Sequence, residues 1–177
     1  MKNTFLRLIV FVFICSQAIA QERTFTASIN HYININGTSE QYSDAIDQLF
    51  IMLKKQYDSK KVDQATWSEL ETEKENALNQ IKVMLASAYR SHFDHDNIND
   101  LINFYESPAG RQYKVDSVQL TEFQKDQITF FYQSDTGKKL QEQSTSLNKT
   151  VSQISESWSS QLYLKMKSKL ANKGYEL

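Results

Sequence analysis

Two histidines and three aspartates between residues 92 and 100 are the group of side chains best suited to chemistry. Imidazole nitrogens and carboxylate oxygens this close in sequence can bind zinc or a similar ion. Alternatively, one aspartate begins a helix as its N-cap, another lies in the first turn, and both histidines are solvated. A helix break between the histidines would spoil their spacing as ligands, so we expect no metal and no cofactor. The residues are His92, Asp94, His95, Asp96 and Asp100.

Nucleophilic and glycosidic chemistry have less support in the sequence. Serine is abundant, but only His31, His92 and His95 could act as its general base. No spacing singles out a pair of carboxylates for glycoside hydrolysis. The four glycines fit no GxGxxG or GxxxxGK phosphate loop, and the single cysteine excludes a disulfide frame. We therefore predict no catalytic residue.

The composition indicates that helices must position these side chains. The chain of 177 residues has one proline and four glycines, too few for the turns that many short strands require. Apolar residues recur at spacings of three and four. We predict an all-α fold, a compact bundle of about six or seven helices formed by residues 28–177 as one domain after a flexible lead at residues 21–27.

Several helix ends can be predicted from their capping residues. A short helix at about residues 28–36 should end at Gly37, and Thr38 with Gln41 fits a capping box for the next helix. Asp63 should begin a long helix whose buried stripe runs from Trp67 to Ala88. Its acidic run and the lysines near the C terminus should be solvated, although the lysines could also form a weak electrostatic docking site. These residues are Glu69, Glu71, Glu73, Glu75, Lys165, Lys167, Lys169 and Lys173.

Residues 1–20 have the pattern of an export signal. Lys2 and Arg7 flank the start of an apolar stretch at residues 8–15, and Ala18-Ile19-Ala20 offers an A-x-A cleavage site. The apolar stretch is shorter than the about 20 residues that span a bilayer, and no later stretch is long enough. We therefore predict a signal peptide at residues 1–20, no transmembrane segment after its removal, and an exported protein that is periplasmic rather than extracellular.

The charge of the chain argues against a nucleic-acid partner. The sequence has 20 Lys and Arg against 21 Asp and Glu, and cleavage of the signal would remove Lys2 and Arg7. A slightly acidic protein has no general attraction to polyanions. We expect no nucleic acid among its partners.

One phrase of the sequence occurs twice. Residues 104–111, FYESPAGR, are followed 27 residues later by residues 131–138, FYQSDTGK. The same offset relates Leu101 to Ile128. We interpret residues 93–119 and 120–146 as tandem units of an internal repeat.

Each copy of the phrase predicts a corner between two helices. Each serine should be an N-cap, and Pro108 should take the first helical position, where its missing N–H has no cost. Gly110 and Gly137 then occupy the third position, where glycine costs about 1 kcal/mol relative to alanine. We therefore expect another group close to both glycines, either an aromatic ring of the neighbouring unit or a ligand beside the cation that follows. The candidate interaction residues are Phe104, Tyr105, Ser107, Pro108, Gly110, Arg111, Phe131, Tyr132, Ser134, Gly137 and Lys138.

The helices that lead into the two corners should each bury one amphipathic face. For the second helix we predict that this face consists of Phe123, Gln127, Phe130 and Phe131.

A long C-terminal helix is predicted at residues 135–173. Its seam has a period of about 3.5 residues and packs against another helix, in the same chain or in a partner. The last part of the seam, at Leu162, Met166 and Leu170, should extend beyond the domain and could allow self-association; the alternative is a long helix that lies across its own domain. The rest of the seam is Leu140, Ser144, Leu147, Val151, Ile154 and Trp158.

A family resemblance is carried by three segments that precede the helix leading to Trp158. They are residues 84–93 (MLASAYRSHF), a helix start at Asp94 and residues 101–111 (LINFYESPAGR). Over about residues 35–158 the chain resembles the exported bacterial domains of the domain of unknown function 2059 family. The phrase F-Y-x-S-P-x-G followed by a cation is the most specific part. The resemblance implies an all-helical exported domain, and it implies no reaction and no catalytic residue. The second copy departs from the family pattern at Asp135 and Thr136.

Three classes of function remain. The repeated corner and the C-terminal seam favour an exported non-catalytic helical module that binds an unknown protein partner or assembles with itself in the cell envelope. A second class is a binder of a small apolar or anionic ligand, held by the aromatic pairs and the cations after them. The third is a hydrolytic or metal-dependent enzyme, against which a structure without a cleft near a histidine or an acid pair would argue.

Overall fold

The computed structural model describes residues 24–177, and helices form most of this range. No strand occurs among residues 24–177, so the predicted all-α bundle with a long C-terminal helix is confirmed. The signal peptide predicted at residues 1–20 and the first part of the predicted lead lie outside the described residues. The helices are α1 (24–35), α2 (Thr38–Gln56), α3 (Gln64–Glu71), α4 (Glu73–His92), α5 (His95–Glu106), α6 (Pro108–Val115), α7 (Glu122–Gln133) and α8 (Asp135–Asn172), with a 3₁₀ turn at Asp58–Lys60.

Helix α1 begins earlier than the sequence indicates. Residues 24–27, which we expected in a flexible lead, are helical. The ring of Phe25 lies 5.2 Å from that of His95, and the guanidinium of Arg90 lies 5.4 Å above it. The flexible lead is therefore wrong for residues 24–27, because Phe25 packs against α4 and α5. Further along α1, Ile29 and Ile33 are buried in the core.

The connection between α1 and α2 differs from its predicted capping box. Gly37 has φ of 90°, the left-handed conformation expected of a glycine at a helix end. The side chain of Thr38 makes no cap, and the amide of Thr38 instead donates to Asn36 Oδ1 at 3.0 Å. The capping box is thus wrong, because Asn36 already accepts the hydrogen bond that begins α2.

The long helix predicted from Asp63 consists of two helices. Asp63 is the expected N-cap and accepts a hydrogen bond from the amide of Thr66 at 2.7 Å. The hydroxyl of Thr72 then donates to the carbonyl of Glu69 at 2.7 Å, where α3 ends and α4 begins. A threonine hydroxyl that bonds to the backbone competes with the helical pattern, which accounts for the break.

Helix α8 lies antiparallel to α4 across its own domain. His92 at the end of α4 contacts Gln143 near the start of α8, and Glu73 at the beginning of α4 contacts Lys169 near the end. Between them, the indole N–H of Trp158 donates to the carbonyl of Ala77 at 3.2 Å. The seam therefore packs within the chain.

The last part of α8 belongs to the core. Leu162 is 6 % exposed, and Met166 and Leu170 are 0 % exposed. The prediction that these residues extend beyond the domain is wrong, because α3 and α4 cover this end of α8. These three side chains are consequently unavailable for self-association.

The acids of α3 and α4 pair with the lysines of α8. Lys165 and Lys169 donate to the two carboxylate oxygens of Glu73 at 2.8 and 2.6 Å. Lys173 donates to Glu69 at 2.5 Å. Glu73 keeps only 15 % of its side-chain surface exposed, so the prediction of a solvated acidic face is wrong for Glu73, whereas Glu69, Lys165 and Lys173 remain exposed. The antiparallel arrangement of α4 and α8 brings the opposite charges together.

We expect Glu73 to make the stability of the protein depend on pH. The hydrogen bonds from Lys165 and Lys169 lower the pKa of Glu73 from 4.5 to about 2. Because this folded-state pKa lies below the unfolded one, the stabilisation is present above about pH 4.5 and is lost as the pH falls toward 2. Glu73→Gln should lower the free energy of unfolding by about 1 kcal/mol at pH 7 and leave it unchanged at pH 2.

Urea unfolding at the two pH values measures this effect. Glu75→Gln is the control, because Glu75 lies in the same first turn of α4 and is exposed. We expect the control to behave as the unsubstituted protein at both pH values. An equal loss at pH 7 and pH 2 for Glu73→Gln would show that packing, and not the charge of Glu73, matters.

Candidate functional site

Two sharp corners, between α5 and α6 and between α7 and α8, share the same hydrogen bonds. The hydroxyl of Ser107 donates to the carbonyl of Phe104 at 2.6 Å and accepts from the amide of Gly110 at 3.0 Å. The hydroxyl of Ser134 donates to the carbonyl of Phe131 at 2.7 Å and accepts from the amide of Gly137 at 3.1 Å. Both serines are thus N-caps, as the sequence predicts.

The helices that lead into the corners also begin alike. Asp94 and Asn97 form a reciprocal capping box at the start of α5. Thr121 and Gln124 do the same at the start of α7. Each corner is therefore held by capping side chains at both ends of the helix before it.

The two corner glycines lie against the backbone of the preceding helix. A Cβ atom at Gly110 would lie 2.0 Å from the carbonyl oxygen of Phe104, and one at Gly137 would lie 2.1 Å from that of Phe131. The predicted aromatic ring or ligand at the glycines is therefore wrong. The chain turns so sharply at each serine that the first turn of the new helix touches the last turn of the old one.

The phenylalanines that begin the two phrases bring the corners together. The rings of Phe104 and Phe131 stack with centroids 4.1 Å apart and an interplanar angle of 12°. The tyrosine that follows each phenylalanine, Tyr105 or Tyr132, contacts its ring edge-on. Burial raises the pKa of both phenols, and the hydrogen bond that Tyr132 donates to the hydroxyl of Tyr113 raises the pKa of Tyr132 as well. The aromatic pairs thus form a packed joint.

A groove of about 640 Å³ opens beside this joint, between α5 and α7. The stacked rings of Phe104 and Phe131 line it, and Phe130 lies at its edge with 77 % of its surface exposed. Asp100 of α5 and Asp126 of α7 are the charged residues among the described residues that line it. The groove therefore combines an apolar wall with negative charge.

The cations that follow the two phrases do not line this groove. Arg111 is exposed and donates to the backbone carbonyl of Glu106, and Lys138 is exposed on α8. The predicted placement of these cations beside a ligand held by the aromatic pairs is wrong, because each corner directs its cation away from the joint. Among residues 24–177, the groove presents only carboxylates as charged groups, which disfavours an anionic ligand there.

The residues considered as metal ligands are directed to separate partners. The capping amide of Asn97 and the ammonium of Lys139 lower the pKa of Asp94, and Asp96 is exposed. Within residues 24–177, no three or more His, Cys, Asp or Glu side chains are grouped so that they could hold a metal ion. The partners and distances are Gln143 for His92 (2.9 Å), Ser28 for His95 (3.0 Å), Lys139 for Asp94 (3.0 Å) and Thr136 for Asp100 (2.6 Å).

The exposed face of α7 is the feature that the sequence analysis missed. The amphipathic pattern predicts that Phe123 and Phe130 are buried, yet they are 71 % and 77 % exposed. The buried contacts of α7 come from Phe131, with Ile128 and Tyr132 partly buried beside it. The 27-residue offset between the two units could have indicated this exposure. At the positions equivalent to Phe123 and Phe130, the first unit has the polar residues Asp96 and Asn103.

Part of this region matches a known protein family. Residues 79–116 match the family described as uncharacterized protein conserved in bacteria (DUF2059). The DUF2059 match covers the end of α4 and all of α5 and α6, so it includes the first corner and not the second. The resemblance to this family is thus confirmed within these residues. No curated protein and no solved structure matches the chain.

Of the helices formed by residues 24–177, none combines the length and the apolar character needed to cross a bilayer.

Proposed function

We propose that this chain is an exported, non-catalytic helical module that binds another protein in the cell envelope. The observation that supports this function best is the exposed apolar face of α7. Phe123 and Phe130, one heptad apart on that helix, each leave more than two thirds of their surface exposed. An exposed apolar patch that continues into a groove is typical of a site where another molecule binds.

The two corners make this face a rigid platform. Phe131 is fixed by its stack on Phe104, and the helix carrying it is capped by Thr121 at one end and followed by the Ser134 corner at the other. A preformed surface loses little conformational freedom when it binds a partner. We also propose that residues 93–119 and 120–146 are tandem repeat units, of which the second has acquired the binding face.

The groove contains an acid pair, Asp100 and Asp126, as a hydrolase could, but the described residues that line it offer no histidine base to a serine nucleophile. His92 and His95 are engaged with Gln143 and Ser28, and His31 contacts Glu106 at 2.7 Å. A serine without a nearby base is a poor nucleophile, so Ser107 and Ser134 act here as helix caps.

The proposed location depends on the export signal. We expect the protein to be recovered from the periplasmic fraction with residues 1–20 removed and Gln21 as its first residue. Mass spectrometry of the intact protein from cell fractions measures both properties. A full-length protein retained in the cytoplasm would contradict export and, with it, an envelope partner.

Site-specific photocrosslinking tests the interaction itself. With a photoreactive phenylalanine analogue at Phe130, we expect a protein adduct in intact cells. The control is the same analogue at Val83 of α4, which is also exposed (67 %) and lies outside the groove. An adduct at Phe130 and none at Val83 would support the proposal, whereas equal adducts at both positions, or none at either, would contradict it.

A further inference from the structure

We propose that the groove between α5 and α7 receives a helical segment of the partner protein, and that the apolar face of this segment carries a basic side chain. This inference rests on the proposed binding function and adds the chemistry of the partner.

The shape of the exposed face fits a helix. Phe123, Asp126, Gln127 and Phe130 follow one another at steps of three, one and three, which places them on one stripe of α7, and Ser134 follows just beyond the end of that helix. Such a stripe beside a second helix forms the kind of groove in which a third amphipathic helix lies, with its anchors at spacings of three, four and seven. The groove volume of about 640 Å³ leaves room for several apolar side chains.

The charge of the groove fits a basic side chain. Asp100 and Asp126 belong to opposite walls, and both are exposed. Asp100 is fixed in place, because its Oδ2 accepts a hydrogen bond from Thr136 at 2.6 Å. A lysine or arginine in the bound segment would lie between two carboxylates that already face the groove.

The lysines near the groove form ion pairs with acids outside it. Lys125 on α7 pairs with Glu122 at 2.7 Å, and Lys139 on α8 pairs with Asp94 at 3.0 Å. They therefore do little to neutralise the groove. A second copy of this chain is a poorer occupant, since pairing of two such grooves would bring carboxylate toward carboxylate, and like charges in contact are destabilising.

Two synthetic amphipathic helices test this inference. Both have the same Leu and Ala face, and they differ by one residue at its edge, Lys in one peptide and Glu in the other. Fluorescence anisotropy with the mature protein should show the Lys peptide binding about fivefold more tightly than the Glu peptide. Asp126→Lys should reverse this preference, and Phe130→Ala should weaken the binding of both peptides.

The control is Asp44→Lys, which makes the same charge change at an exposed position of α2 outside the groove. It should leave the preference for the Lys peptide unchanged. A preference that follows net charge in both variants would show that the attraction is non-specific and would overturn the inference.

The remaining outcomes separate this inference from the proposed function. If Phe130 crosslinks to a protein in cells but the two peptides bind equally, the charge of the partner is wrong and the binding function stands. If neither crosslink nor peptide binding occurs, both fail. A dimer in solution that Phe130→Ala dissolves would assign the groove to a second copy and would also overturn the inference.

Discussion

Gly110→Ala and Gly137→Ala are each expected to lower the free energy of unfolding by about 3 kcal/mol, because the added methyl group overpacks the corner. At 2.0 and 2.1 Å from a backbone carbonyl oxygen, the new Cβ cannot be accommodated unless one helix moves away from the other. The nearest atoms belong to the backbone of Phe104 and Phe131, so no side chain can rotate to make room. Gly110→Val and Gly137→Val should destabilise the fold at least as much.

The sign of the change in the free energy of unfolding distinguishes a tight corner from an ordinary helix. Inside an ordinary helix, a change from glycine to alanine stabilises by about 1 kcal/mol. Gly174→Ala is the control, because Gly174 has φ of 88° and no heavy atom lies within 4 Å of the position that an added methyl group would take, so its penalty reflects backbone conformation alone. Urea denaturation of the three alanine variants gives the comparison. Stabilisation of both corner variants would show that the helices are not in contact at the glycines.

Met166→Ala is expected to lower the free energy of unfolding by about 2 to 5 kcal/mol, since it leaves a cavity in the core. Met166 is 0 % exposed and lies in the part of α8 that α3 and α4 cover. The matched control is Leu164→Ala, two residues away on the same helix, where the side chain is 60 % exposed. We expect the control to change the stability by less than about 0.5 kcal/mol.

Thermal or urea unfolding of these two variants decides where the end of α8 lies. If Met166→Ala leaves the monomer stable and instead abolishes an oligomer, this end of the helix is an interface and not part of the core. Similar effects of Met166→Ala and Leu164→Ala would contradict the burial of Met166.

Local features of the fold could be predicted from the sequence because neighbouring residues produce them. A serine hydroxyl can reach the amide three positions along the chain whatever else the protein contains, so the caps at Ser107 and Ser134 follow from the sequence. The same holds for Asp63 and Asp94, and for the left-handed glycine at position 37. The scarcity of proline and glycine, together with apolar spacings of three and four, was enough to predict an all-helical chain.

The candidate site was only partly predictable. The repeated phrase identified the residues at the joint, and the structure brings Phe104 and Phe131 into contact. The sequence did not show which face of α7 the domain leaves uncovered, because Phe123 and Phe130 are as apolar as Phe131. An amphipathic pattern indicates which residues can be buried, while the number of neighbouring helices decides which of them are.

The sequence by itself determined the all-α fold, the caps at Asp63, Asp94, Ser107 and Ser134, the two corners and the match of residues 79–116 to DUF2059. Only the tertiary structure decided that backbone atoms touch the corner glycines, that α8 buries Met166 and pairs its lysines with Glu69 and Glu73, and that α7 exposes two phenylalanines. The physical reason is the separation in sequence over which each interaction acts. Caps and helical periods depend on residues within a few positions of one another, whereas burial and ion pairing depend on which distant helices pack together.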